Sequence, residues 1–172
     1  PISPDSLSGL ALWLDGSDID GDGQPDSLTD GDLISVWKDK SGNDFNASQS
    51  EVANKPVYGK LGQVPHLHFD GNRLKISAAN IQAKHIFIVA LLNGTSGYKT
   101  LMSSAMHRNI RTAHNSLNFS ENQSHTFAGN ERDYRLDGTI GYQFQLNQKH
   151  ILCAKLGSTS TGGGLFTDVN IG

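Results

Sequence analysis

Turn-forming residues interrupt this chain so often that no apolar pattern outlasts a β-strand. Nineteen glycines are spread over 172 residues. The segments between the turn signals are short and alternate apolar with polar side chains, as half-buried strands do. The longest apolar run, IFIVALL at 86–92, has strand length and falls well short of the ~20 residues that cross a bilayer as a helix. No membrane insertion is expected. The length suits one domain over 1–172, with 1–8 reading as linker. A lone cysteine, Cys153 in HILCAKL, excludes an internal disulfide and reads as a small buried hydrophobe.

LALWLD at 10–15 reads as the first strand and LISVWKD at 33–39 as the second, with Ile34 and Val36 on one face. SGND at 41–44 is a turn. In VPHLHFDG, Leu67 and Phe69 share a face opposite His66, His68 and Asp70. RLKIS at 73–77 alternates cleanly, and AANIQAK after it suits a connector or one helical turn. HIFIVALLN, apolar throughout, is expected to be a central strand. YKTLMSSA, NIRTAH, SLNFS, SHTFAG, DYRLDG and YQFQLN follow as short strands, HILCAKLG as a second buried one and LFTDVNIG as the last. With no repeat at 20–50 residues, the series predicts an all-β fold, a sandwich or jelly roll of antiparallel sheets.

Between the first two expected strands lies LDGSDIDGDGQPDSLTDGD, residues 14–32, with seven of the seventeen acidic residues. The chain has a formal charge of -3 and is net basic without this segment, but its Lys and Arg are scattered singly. No nucleic-acid surface is expected. Asp18, Asp20, Asp22, Gly23 and Asp26 follow the opening of a calcium-loop pattern, with Gln24 at the position that offers a backbone carbonyl. Alternate residues of a tightly turning loop converge, and glycine permits the bend. Hard oxygen donors in this number suit Ca2+ better than Zn2+. Thr29 stands where an EF-hand has its bidentate Glu, so the site is expected to be a helix-free loop, with Asp30 or Asp32 as alternative donors. The competing reading is a solvated acidic loop without a cation. A weak calcium site points to an extracellular or cell-surface protein, where the ion is abundant.

LSGLALWLD, an acidic insert, VWKDKSGNDFNA, KPVY and PHLHFDGNRL come in an order that resembles the LamG-like jelly-roll modules of the concanavalin A-like lectin and glucanase superfamily, as found in large exported bacterial proteins. The residues carrying the resemblance are Leu10 to Asp15, Trp37, Asp39, Ser41, Gly42, Asn43, Lys55, Pro56, Phe69, Asp70 and Gly71. The resemblance implies a carbohydrate- or cell-surface-binding module, with adhesion spacers and polysaccharide-degrading enzymes as its other outcomes. Such modules continue beyond a strand like LFTDVNIG. The expectation is therefore a truncated C-terminal end or an edge completed by another chain, with self-association through that edge strand.

By analogy with loop-borne lectin sites, Asp39, Asn43, Asn72, Arg73, Asn130, Arg132 and Tyr134 are the expected glycan contacts. Trp13 and Trp37 sit in apolar surroundings and read as core. Catalysis is not expected: glycoside hydrolysis needs two carboxyl groups about 5–9 Å apart, and Glu51, Glu121 and Glu131 belong to no strand alternation. The pattern His66, His68, Asp70 reads as a polar stripe rather than a transition-metal site. Four N-x-S/T sequons, at Asn46, Asn93, Asn118 and Asn122, are unsurprising in so Asn- and Ser-rich a chain.

Overall fold

A computed structural model describes residues 3–83, 85–91, 98–103, 108–113, 116–121, 133–136, 149–155 and 164–171. Among them there is no α-helix. Two single 3-10 turns, Pro4–Ser6 and Val52–Asn54, accompany the strands β1 (Val36–Trp37), β2 (Ala47–Ser48), β3 (Val57–Leu61), β4 (Val64–His68), β5 (Leu74–Ala83), β6 (His85–Leu91), β7 (Tyr98–Ser103), β8 (Arg108–Ala113), β9 (Ser116–Glu121), β10 (Asp133–Leu136), β11 (Lys149–Lys155) and β12 (Gly164–Ile171). The ladders that join β1 to β2, β2 to β5, β3 to β4, β6 to β11, β7 to β8, β8 to β9 and β10 to β11 are all antiparallel. The chain is therefore all-β, as frequent turns between short alternating runs require.

The chain forms two compact units, Pro1–Ala79 with Asp168–Gly172 and Asn80–Thr167. In the first, β3 and β4 make a hairpin in register Val57↔His68 to Leu61↔Val64. Its two-residue turn begins at Gly62, whose φ of 64° suits the primed turns that match strand twist. β1 pairs β2, and β2 touches β5 at Ser48↔Lys75. The start of β5 alternates as RLKIS predicts, with Leu74 and Ile76 buried while Arg73, Lys75 and Ser77 face outward.

The core of this unit differs from what the acidic segment suggests. Ile19, Ile34 and Tyr58 are buried together, with Leu28, Trp37 and Leu67 packed against them. Two of those six side chains, Ile19 and Leu28, come from the aspartate-rich stretch itself. The segment is thus anchored at two points within its acidic run by apolar burial, while Asp20 and Asp22 between them stay exposed to solvent. Backbone bonds fix the far end: Tyr58 N–H donates to the Asp32 carbonyl at 2.8 Å and Gly31 N–H to the Tyr58 carbonyl at 3.0 Å.

LALWLD is extended but does not build a ladder; Leu14 makes one isolated bridge, to Asp39. The reason lies in its partners, because the Trp13 N–H is taken by the Asp39 side chain at 2.9 Å. Only Val36–Trp37 of LISVWKD is a strand, with Ile34 buried and Val36 exposed, so the expected shared face is broken at Ser35. AANIQA, residues 78–83, is neither helix nor connector: β5 runs on through Ala83.

In the second unit β7, β8 and β9 follow one another as a meander, with an irregularity between Thr100 and Met102. β10, β11 and β6 form a three-stranded sheet in that order. HILCAK is thus the middle strand, whereas HIFIVAL lies at the edge of the described sheet. Its alternation leaves Phe87 65% and Val89 63% exposed. Continuous apolarity predicts a strand but cannot say which of its sides is paired. SHTFAG and YQFQLN lie outside the described residues.

Ile19→Ala should destabilise the protein by about 3 kcal/mol, within the range for truncating a buried Ile. Urea unfolding followed by far-UV circular dichroism measures it. Truncation of Leu33, which is exposed, should change the midpoint little.

Candidate metal centre

Between its two apolar anchors the acidic segment folds into consecutive aspartate turns. Asp22 N–H donates to Asp20 Oδ1 at 3.2 Å, Gln24 N–H to Asp22 Oδ1 at 2.7 Å and Gly23 N–H to Asp18 Oδ2 at 3.0 Å. Aspartates favour such turns because a short carboxylate reaches the backbone N–H two residues on. Gly21 has φ 71°, and a Cβ there would stand 2.9 Å from Lys38 Cβ. Glycine is needed at that point for both conformation and space.

The turns bring one carboxylate oxygen from each of Asp18, Asp20 and Asp22 within 4.8 Å of one another. Asp20 and Asp22 are exposed, but Asp18 is only 4% exposed because Ile19 beside it enters the core. Asp18 Oδ1 is buried and no hydrogen bond of ordinary geometry reaches it, although the Gly21 N–H also helps hold the carboxyl low. A buried carboxylate oxygen left unpaired costs free energy of the order of 1–3 kcal/mol or more, so it has capacity for a donor or a cation. Of the other expected donors, Asp26 turns one oxygen to the Ile19 N–H at 2.8 Å. Gln24 sits on the exposed rim of the loop. Asp32 accepts from the Thr29 N–H and hydroxyl, closing the next turn.

A residue the sequence did not single out lies against this cluster. The Lys40 ammonium bonds Asp18 Oδ2 at 2.5 Å and Asp15 Oδ2 at 3.3 Å, and lies 4.5 Å from the centroid of the Trp13 ring. The Lys40 hydrogen bond is the main reason the Asp18 carboxyl is held below its usual range; burial opposes it. At Asp15 burial pushes upward, but Ser17 and Lys40 outweigh it and the net shift is downward. Burial likewise opposes the charged form of Lys40, yet Asp18 and Asp15 raise its pKa. Asp18 and Lys40 are 22 residues apart. Local spacing carries no sign of such a pair, and only the shared KDKSGN turn hints that a lysine sits near the loop.

The expected glycan contacts fall in three places. Asp39 is an internal lock: Oδ1 accepts from the Trp13 and Ser41 N–H groups, and Oδ2 from the Ser41 hydroxyl and the Phe45 N–H. Asn43 Nδ2 donates to the Leu10 and Ala11 carbonyls and the Ser41 hydroxyl. Together they tie the SGND turn to the extended start of the chain. Asn72 and Arg73 lie at the entry to β5. There Asn72 caps the Asp70 N–H and reaches the Ala53 carbonyl, while the Arg73 side chain is exposed. Tyr134 is in β10 opposite Ala154, and Asn130 and Arg132 lie outside the described residues. His66 stacks its ring against Gly59, 3.1 Å from where a Cβ would be, and His68 is exposed at the strand end.

Comparisons of the chain with protein-family models, with curated proteins and with solved structures find no match.

In EDTA the Asp15–Lys40–Asp18 cluster should give the protein a defined pH window. The lowered carboxyl pKa values contribute stability that is complete above the unfolded value of ~3.9 and is lost as pH falls through the folded values. The raised Lys40 pKa contributes below ~10.4 and is lost as pH rises through its folded value. Lys40→Met should therefore lower stability by about 3 kcal/mol at pH 7. The gap from the parent protein should narrow towards pH 3, as urea midpoints across a pH series would report. Asp39→Ala should cost about 3 kcal/mol by stranding its backbone donors, measured in the same way.

Proposed function

We propose that this chain is a non-catalytic, calcium-stabilised module of an exported bacterial protein that binds glycans or other cell-surface ligands, folded as a LamG-like jelly-roll sandwich. The observation that carries the calcium part is Asp18 Oδ1, buried without a partner beside the converging carboxylates of Asp20 and Asp22. The donors fit the ion: carboxylate oxygens on alternate residues, a glycine at the bend and a backbone carbonyl from Gln24 suit a hard cation of flexible coordination. Asp18, Asp20 and Asp22 would hold it, with Asp26 closing the loop from the ninth position. Bound there, Ca2+ would relieve the mutual repulsion of the carboxylates and clamp the segment to the Ile19 anchor. Its role would be structural, since the loop is closed by its own backbone N–H groups.

The glycan part rests on the resemblance and on the exposed side chain of Arg73, beside the half-buried Asn72. A second reading, an adhesion spacer without a ligand site, is favoured by the internal commitments of Asp39 and Asn43.

A thermal melt with and without Ca2+ tests the metal: at one hundred times Kd the ion should add ~2.7 kcal/mol of stability. Asp20→Asn together with Asp22→Asn should abolish that increment while leaving the EDTA melt nearly unchanged. An unchanged midpoint at 10 mM Ca2+, a concentration chosen to exceed the ~10⁻⁴–10⁻³ M range of extracellular sites, would remove the claim. A glycan array read with the parent protein and Arg73→Ala separates ligand binding from the spacer reading, which predicts no signal from either.

A further inference from the structure

Lys40 stands where a second positive charge would matter most. Its backbone N–H is fixed to the Trp13 carbonyl at 2.8 Å, its side chain is 16% exposed, and its ammonium is held by Asp15, by Asp18 and by the face of Trp13. The ammonium is thus placed by the scaffold, and it takes one oxygen of the same carboxylate whose other oxygen is buried without a partner. We infer that Lys40 is a tethered cation that sets the calcium affinity of the 18–26 loop, holding the loop closed without the ion and weakening the ion's binding when it arrives. This rests on the calcium reading above.

Two effects of Lys40 oppose each other. It orients Asp18, which favours binding, and it puts a unit of positive charge beside the incoming ion, which disfavours it. Orientation does not depend on Lys40 alone, because Asp18 Oδ2 also accepts from Gly23 N–H and the next residue, Ile19, is fixed in the core. Repulsion does depend on it. Asp20 and Asp22 face solvent, but the Lys40–Asp18 contact itself is shielded, with side chains only 16% and 6% exposed, so water screens the charge poorly at that point and the repulsive effect dominates. The loop has a built-in substitute for the metal, and calcium must work against it.

The test is isothermal titration of the EDTA-treated, dialysed full chain with CaCl2. Lys40→Met should bind Ca2+ about tenfold or more tightly, and Lys40→Gln, which keeps a donor for Asp18 without the charge, should do the same. Lys40→Arg should stay within about threefold of the parent, and so should Lys38→Met, which removes an exposed charge nearby. If Lys40→Met fails to fold in EDTA, Lys40→Gln decides the matter. Parent protein that binds Ca2+ while neither neutral variant binds more tightly would overturn the role of Lys40 and leave the calcium site standing. Absence of binding by parent and variants alike would overturn both.

Discussion

The burial of Ile19 is the constraint from which the rest of the acidic segment follows. One apolar side chain inserted among aspartates draws its neighbour Asp18 out of water, and a carboxylate in that position must be compensated. Lys40 and the Gly23 N–H both serve one of its oxygens, Oδ2. The remaining oxygen has no such partner. A hydrophobic contact thus creates an electrostatic demand that a fully solvated charged linker would not have.

The same economy of hydrogen bonds explains the turn after β1. Asp39 accepts four hydrogen bonds, and three of the donors are backbone N–H groups that would otherwise be left unpaired at a strand end. Asn43 serves the carbonyls of the facing segment. Asp39, Ser41 and Asn43 therefore have a mechanical reason to be where they are, because they join the start of the chain to the strand that follows the acidic segment. Lys40, between them, inherits its fixed position from this lock.

Much of the local structure was legible. Period-two alternation located Leu74 and Ile76 as the buried face of β5, and turn chemistry placed the break at SGND. The convergence of Asp18, Asp20 and Asp22 followed from their spacing about two glycines. Less legible were features decided by partners distant in the chain. AANIQA is a strand because β5 continues through it, and IFIVAL lies at an edge because β11 pairs with it on one side only among the described residues. Neither neighbour leaves a mark in the segment's own pattern.

The sequence by itself determined that this chain is built of short antiparallel strands and that its acidic loop turns its carboxylates towards one point. Both are consequences of local stereochemistry, the period of a strand and the reach of an aspartate to a nearby N–H. Tertiary structure alone decided that Asp18 would be buried and that its counter-charge would be Lys40, 22 residues away. Burial and ion pairing depend on which surfaces meet in space, and no local spacing encodes that meeting.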